Sequence, residues 1–125
     1  MYIYNYNNIG RKEDKNSLHY NSPNYNINDF YSLNEYQKAI SSLGFVLEPY
    51  DSTRYMEIYG YGAKFFNKKK VEFECSLTGD QNNPSVYGVY GILEAYHKAL
   101  QSAIFCMYLN YPFPYIRIFL YNINF

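Results

Sequence analysis

The chain has 125 residues, enough for one domain with a small core. Lys and Arg (11) balance Asp and Glu (11), so the formal net charge at pH 7 is +0. Because binding to a nucleic-acid backbone requires excess positive charge, this balance argues against nucleic acid as a partner. Tyr is abundant (18) and Trp is absent. Since Tyr replaces Phe readily where the ring edge reaches water, we do not interpret this abundance as a base-stacking surface.

Neither the cysteines nor the chain termini indicate a metal site or a targeting segment. Cys75 and Cys106 form no CxxC pair and have no His or acid at ligand spacing, so we expect reduced thiols in an intracellular protein. Residues 1–10 lack the basic start and apolar run of a signal peptide. Residues 103–125 are apolar but interrupted by Asn, Pro and Arg, which makes them a poor membrane span. The expected location is cytoplasmic, at most peripheral to the plasma membrane.

The first third of the chain predicts a strand, a loop and a helix. Residues 1–6 alternate, with tyrosines on one face, and predict a short strand. Residues 7–28 are polar and predict a long loop. Ser32 and Glu35 fit a capping box at a helix start. The helix carries apolar residues three and four apart, which predict one buried stripe: Tyr36, Ala39, Ile40, Leu43 and Leu47.

Two residues of this helix have predicted structural roles. Gly44 weakens the helix but allows close packing on a sheet. Pro49 ends the helix, and residues 51–53 predict a turn.

Residues 55–61 then predict a strand, with Gly60 and Gly62 at its end, where they turn the chain or admit a ligand.

The following segment predicts a sheet edge and a second helix. Residues 71–77 alternate apolar and acidic side chains, as in a half-exposed edge strand. Ser85 is expected to cap a helix that follows Pro84. Its predicted apolar stripe has helical spacing: Val89, Ile92, Leu93, Tyr96 and Leu100. His97 falls on the polar side, where we expect a solvent-exposed imidazole.

Residues 104–109 and 115–120 predict two further strands without an intervening helix. The order strand, helix, strand, strand, helix predicts an α/β fold, with an open sheet and helices on its faces. Ligands in such sheets bind at the carboxyl ends of strands, which here means the loop at residues 7–20. The basic run at residues 68–70 is interpreted as a solvated segment, with contact to anionic lipid or phosphate as the alternative.

Several short motifs occur in a fixed order along the chain. They are SLHY at residues 17–20, NEY at 34–36, YDS at 50–52, YGYGAK at 59–64 and PSVYGVYGILEAY at 84–96. Together they resemble the copine family, and the stretch that carries the resemblance, residues 17–100, is about two-thirds of the chain. The positions that carry the resemblance are Ser17, His19, Asn34, Tyr36, Asp51, Gly60, Gly62, Gly88, Gly91 and Tyr96.

The resemblance implies a carboxyl-terminal von Willebrand A-like domain, Rossmann-like in architecture. This domain is partial and divergent over residues 1–101, lacks its carboxyl-terminal strands, and is followed by a divergent apolar tail at 102–125. Copines are calcium-dependent phospholipid-binding proteins whose calcium sites lie in C2 domains, and this chain has no C2 domain. The A-like domain itself is a protein-interaction module. The implied partners are therefore proteins, with membrane contact only through a longer parent polypeptide.

The sequence departs from the family at the metal site. The family motif DFTxSN precedes SLHY, whereas this chain has YNYNNIG at residues 4–10, without a carboxylate. Asn5 and Asn8 offer neutral oxygens only, a weak vestige of an Mg²⁺ site, which usually needs carboxylates. The family's metal-binding Thr also has no counterpart near residues 109–112. We therefore expect no metal and no cofactor in this chain.

Three functional hypotheses follow from these observations. The first is a non-catalytic binding module of copine type. The second is a relative of the A-like domains of RING-type ubiquitin ligases, although two Cys and two His cannot build a RING. The third is a truncated, non-functional gene product, motivated by the loss of helical period after Gln101. No nucleophile and acid surround His19 or His97 in sequence, so an enzyme is not expected.

Overall fold

The computed structural model describes residues 12–61, 63–64, 66, 69, 75–105 and 115–120. Within this part, two α-helices and six short strands form a mixed α/β fold with an open sheet, which confirms the predicted fold class. The predicted first strand at residues 1–6 lies outside the described residues. The same holds for residues 71–74 and 106–114, which belong to other predicted strands and their connection.

Strand β1 (Tyr55–Tyr61) is the strand to which all others in the main sheet pair, and its bounds agree with the prediction. Met56 and Ile58 are buried, whereas Tyr55 is 56% exposed, so the two faces of the strand differ in burial. Every described pairing of β1 is antiparallel.

The sheet neighbours of β1 follow from the register. Met56 pairs with both Val86 and Leu120, so β4 (Ser85–Tyr87) and β6 (Tyr115–Leu120) lie on opposite edges of β1. Gly60 pairs with Cys75 opposite β6, which places β3 (Cys75–Ser76) after β4 along the same edge. A separate antiparallel pair joins β2 (Ala63–Lys64) to β5 (Ile104–Phe105). Residues 75–77 are all buried, so the half-exposed pattern predicted for 71–77 does not hold in its described part.

Helix α1 (Glu35–Leu47) begins after Asn34, and the predicted capping box at Ser32 is wrong. Asn34 Oδ1 accepts from the amide of Gln37, and Gln37 Oε1 accepts from the amide of Asn34, each at 2.8 Å. Ser32 instead ends the 3-10 turn Phe30–Ser32, where its hydroxyl bonds the backbone of Asn26 and Asp29. A second 3-10 turn, Glu48–Tyr50, contains Pro49 and ends the helical segment as expected.

Helix α2 (Gly88–Ser102) begins three residues after Ser85, so the predicted serine cap is also wrong. Ser85 belongs to strand β4, which pairs with residues 55–57 before the helix starts. The N-cap residue is Tyr87, whose side chain makes no capping hydrogen bond. The predicted apolar stripe of this helix is confirmed, because all five of its residues are buried.

The core forms where α2 packs against α1 and against strands β1 and β4. Gly44 of α1 lies against Val89 of α2, and a Cβ at Gly44 would come within 2.8 Å of Val89 Cγ2. The close approach predicted for Gly44 therefore occurs at a helix and not at a sheet. At the other end of α2, Lys12 Nζ donates to the carbonyl of Gln101 at 2.6 Å. This bond attaches the start of the described loop to the carboxyl end of the helix.

Candidate functional site

Three of the sequence motifs meet in one buried polar cluster. Nδ1 of His19 lies 2.8 Å from the hydroxyl of Tyr96, although 77 residues separate them in sequence. The imidazole stacks on Tyr36, with ring centroids 4.2 Å apart. We call this group the motif cluster and define it by the following residues: Ser17, His19, Asn34, Tyr36, Gln37 and Tyr96.

Asn34 connects the cluster to the start of helix α1. Its Nδ2 donates to the Tyr96 hydroxyl and to the carbonyl of Tyr20, both at 3.1 Å. The Tyr96 oxygen therefore hydrogen-bonds both Asn34 and Nδ1 of His19, and the tautomer of the imidazole decides which of His19 and Tyr96 is the donor in the second bond. The cap, the loop and α2 are therefore joined through one side chain.

Burial controls the ionisation of the cluster. His19 is 1% exposed, and desolvation lowers the pKa of its imidazole from 6.5 to about 4. Desolvation also raises the pKa of the Tyr96 hydroxyl far above its usual range. Both groups are therefore neutral at pH 7 and hydrogen-bond each other within the buried cluster.

Backbone hydrogen bonds complete the attachment of the loop. The hydroxyl of Ser17 accepts from the amide of His19 at 3.1 Å, and the carbonyl of Leu18 accepts from the amide of Tyr36 at 3.4 Å. Ser17 and His19 are both buried. The motif cluster thus fastens the SLHY segment onto both helices, so these motif residues build a scaffold.

Asp51 organises the turn before strand β1, as the sequence predicts for this segment. Its Oδ1 accepts from the amide and hydroxyl of Thr53, each at 2.9 Å, and from the amide of Arg54 at 3.2 Å. Arg54 has a φ of 57°, a left-handed conformation that these bonds support. The motif residue Asp51 therefore stabilises the backbone conformation of this turn.

Two motif glycines sit where a side chain would be strained or tightly packed. Gly88 has a φ of +66°, and a Cβ there would lie 2.7 Å from Oε1 of Glu48. A Cβ at Gly91 would lie 3.2 Å from Cβ of Val86. Gly60 is buried within strand β1, between Cys75 and Ile116, and Gly62 lies outside the described residues.

The vestigial metal candidates Asn5 and Asn8 lie outside the described residues. Within the described part of the chain, no group of three or more His, Cys, Asp or Glu side chains could hold a metal ion. Lys69 of the basic run is exposed, and its neighbours Lys68 and Lys70 lie outside that part.

His97 is not the solvent-exposed imidazole that the sequence predicts. Its ring is half-buried and stacks on Tyr25, with centroids 3.8 Å apart. Its Nε2 accepts from Nε2 of Gln101 at 3.2 Å, and burial lowers the pKa of the imidazole. Tyr25 belongs to the polar loop, and its pairing with a helix residue 72 positions later has no local sequence signal.

The outer side of helix α1 carries apolar residues that the described part of the protein leaves exposed. Leu43 and Val46 are each 64% exposed, and Ala39 is exposed on the same face, four and seven residues before them. We call these three residues the outer face. Phe45 lies well around α1 from them and packs edge to face on Tyr90 of α2, with centroids 5.4 Å apart, and both rings remain about half exposed. Two outer-face residues, Ala39 and Leu43, belong to the predicted buried stripe, which is wrong in that half.

Comparison with known proteins gives a family assignment. A family model described as Copine matches residues 17–107. The chain belongs to the copine family. The matched range begins at Ser17, where the family resemblance in the sequence begins.

Two curated copine relatives come from Dictyostelium discoideum. Copine-C is 36% identical over 70 residues, which cover 56% of this chain and 13% of that protein. Copine-A is 33% identical over 88 residues, which cover 70% of this chain and 14% of that protein. The chain therefore spans a small part of the length of these relatives, and the activity of a whole copine is a matter for proposal.

Two further predictions concern the boundary between domain and tail and the possibility of a membrane-spanning helix. The family match ends at residue 107, shortly after the expected boundary at Gln101, and the division into domain and tail stays a prediction. Among the residues that the structure describes, no helix combines the length and the apolar character needed to cross a membrane.

Proposed function

We propose that this copine chain is a non-catalytic protein-interaction module, located in the cytoplasm and peripheral to the plasma membrane. Calcium-dependent phospholipid binding would come from other parts of a longer parent polypeptide. The sequence argues against a cofactor and against nucleic acid as a partner, and the proposal includes neither.

The single observation that carries the proposal is that the motif residues form a buried, hydrogen-bonded cluster. The buried hydrogen bonds of His19, Asn34 and Tyr96 hold the loop, α1 and α2 together. Their burial and their mutual hydrogen bonds support a role in fixing the shape of the scaffold. The scaffold presents the outer face on α1, whose apolar side chains are exposed, as at many protein interfaces.

A photo-crosslinking experiment tests the interaction function. A benzophenone amino acid replaces Val46 on the outer face in one variant, and Lys98, which is exposed on α2, in a matched control. In cells, the Val46 variant is expected to give discrete crosslinked protein bands, and the Lys98 variant to give none above background. Equal crosslinking from both positions would contradict the proposal.

A vesicle experiment tests the division of labour. The purified chain is mixed with phosphatidylserine and phosphatidylcholine vesicles, with calcium or with a chelator, and the vesicles are sedimented. We expect the chain to stay in the supernatant in both conditions. Calcium-dependent sedimentation would place lipid binding in this chain and would overturn that part of the proposal.

A further inference from the structure

We propose that Ser22 is a phosphorylation site for a proline-directed serine/threonine protein kinase. This inference goes beyond the proposed interaction function and does not depend on it. It rests on the sequence Ser22-Pro23, on the environment of the Ser22 hydroxyl, and on the contacts that hold the surrounding loop to α2.

The residue after Ser22 gives the site its sequence specificity. Ser22 is the only serine or threonine in the chain that precedes a proline. Proline has no backbone N–H, whereas any other residue brings a donor that loses its water partner when the segment enters an enzyme cleft. A kinase cleft without an acceptor at that point therefore selects Ser22 over serines that are followed by other residues.

The hydroxyl of Ser22 is available as a nucleophile. Its Oγ accepts from the amide of Asn24 at 3.2 Å, and it donates no hydrogen bond within the described residues. Pro23 and Asn24 are exposed and Ser22 is partly exposed, in a segment without helix or strand. A kinase can therefore reach this hydroxyl without unfolding regular structure.

The other hydroxyls of serine and threonine in the described part of the chain are less suitable, with one exception. Those that are buried, donate a hydrogen bond or lie in a helix or strand belong to the following residues: Ser17, Ser32, Ser41, Ser42, Thr53, Ser76, Thr78, Ser85 and Ser102. The exception is Ser52, which is exposed in the turn before β1 but precedes Thr53 instead of a proline. Ser52 therefore serves as a matched control for Ser22.

The turn that begins at Ser22 belongs to the part of the loop that contacts α2. The amide of Tyr25 donates to the carbonyl of Ser22 at 3.3 Å, and the ring of Tyr25 stacks on His97. The amide of Asn21 donates to the carbonyl of Lys12 at 2.7 Å, which brings Lys12 beside the turn. A phosphoryl group on Ser22 would thus lie next to residues that attach the loop to α2.

The added charge acts on the hydrogen bonds of this turn. A phosphoryl group adds about 1.5–2 negative charges at pH 7. The amide of Asn24, which donates to the neutral Oγ of Ser22, would donate to a charged phosphate oxygen, and such bonds are stronger. The ammonium of Lys12 donates to the neutral carbonyl of Gln101, and a phosphate beside it is a stronger acceptor. Phosphorylation therefore tightens the turn and competes with Gln101 for Lys12.

The reaction takes its phosphoryl group from ATP. Oγ of Ser22 attacks the γ-phosphorus of Mg-ATP, a bond forms between them, and the bond from that phosphorus to the oxygen bridging the β- and γ-phosphates breaks. ADP leaves with the bridging oxygen, and the hydroxyl proton passes to a carboxylate base of the kinase. The chain supplies the hydroxyl, and the kinase supplies the catalytic groups.

Phosphoryl transfer to the purified, folded chain tests the site. The chain is incubated with Mg-ATP and a mitogen-activated protein kinase, which is proline-directed, or with a kinase that selects basic residues. The first kinase is expected to modify Ser22, located by peptide mass spectrometry, and the second to modify nothing. Ser22→Ala should abolish the transfer, and Ser52→Ala should leave it unchanged. Pro23→Ala should lower the rate at least ~10-fold.

A synthetic peptide of residues 17–28 separates the sequence signal from access in the fold. Both the peptide and the folded chain are expected to be modified. Modification of the peptide alone would show that the fold blocks the site and would overturn the inference. The same conclusion would follow from no transfer to either substrate, from transfer that survives Ser22→Ala, or from equal rates for Pro23→Ala and the unmodified chain.

Hydrogen exchange reports the effect of the phosphoryl group on the turn. The amide of Asn24 is expected to exchange more slowly in the phosphorylated chain than in the unmodified chain, because its acceptor becomes charged. The amide of Thr53, in the turn that contains Ser52, is the internal reference and should exchange at the same rate in both. An unchanged rate at Asn24 would contradict the tightening of the turn.

Discussion

Helices α1 and α2 are similar in length, 13 and 15 residues, but they are held in the fold in different ways. Both are fully described. In α2 seven residues are buried, whereas in α1 the buried residues are Gln37 and Ile40. Burying an aliphatic side chain contributes about 1.5–3 kcal/mol, so apolar burial dominates the attachment of α2. Helix α1 depends instead on Asn34 and the motif cluster at its amino end, which leaves its outer face available.

Truncation of one leucine in each helix gives the largest expected contrast. Leu93→Ala in α2 removes a side chain that is 1% exposed and should lower the free energy of unfolding by about 2–5 kcal/mol. Leu43→Ala in α1 should change it by less than ~0.5 kcal/mol, because Leu43 is 64% exposed. Urea unfolding at low protein concentration measures both. Similar losses for the two variants would show that α1 is held by apolar burial after all.

A change in pH tests the motif cluster without changing the core. The pKa of His19 is lowered to about 4, so the unfolded chain takes up a proton below pH 6.5 while the folded chain does not. The stability that depends on neutral His19 is fully present above pH 6.5 and is lost as the pH falls towards 4. Between pH 7 and pH 5 the loss is on the order of 2 kcal/mol.

The matched variants for this test are His19→Gln and His97→Gln. Urea unfolding at both pH values should show a flatter pH dependence for His19→Gln. His97→Gln should keep most of the dependence, since His97 is only half-buried. A dependence that disappears with His97→Gln would move the pH-sensitive group to the Tyr25 stack.

Removal of one hydroxyl gives the smallest expected effect. Tyr96→Phe deletes the oxygen that Asn34 and His19 share, and should cost about 1 kcal/mol, because Asn34 keeps its bond to the Tyr20 carbonyl. Tyr90→Phe, at a ring that is 52% exposed, should have no measurable effect. Thermal unfolding resolves this difference. Equal melting temperatures for the two variants would mean that the cluster adds no net stability.

The elements that sequence predicted well are those with a complete local pattern. Strand β1 is a run of seven strand-forming residues that ends at glycines, and α2 repeats apolar residues at helical spacing throughout, so local pattern defines both. In α1 the predicted stripe is correct at Ile40 and wrong at Leu43. The spacing of apolar residues identifies an apolar side, but only the position of α2 decides which part of that side is buried.

The helix caps show a second limit of local pattern. Ser32 with Glu35 and Asn34 with Gln37 both match a capping box, and the sequence favours neither clearly. The structure uses Asn34 because its side chain also bonds Tyr20 and Tyr96, contacts made across the fold. His19, Asn34 and Tyr96 also meet through contacts made across the fold. Their shared membership of family motifs was the indication in the sequence that they act together. No sequence pattern indicates the stacking of the loop residue Tyr25 on His97 or the exposure of the outer-face residue Val46.

The bond between Lys12 and Gln101 joins positions that are 89 residues apart. The two ends of the segment from Lys12 to Gln101 therefore lie side by side. A unit with adjacent ends can be inserted into a host polypeptide through two short connections, without stretching either flank. This segment contains α1, all of α2 except its last residue, and every motif residue that the structure describes. Strand β6, which pairs with β1 along six residues, lies outside this segment, so an inserted unit would have to carry residues 115–120 as well.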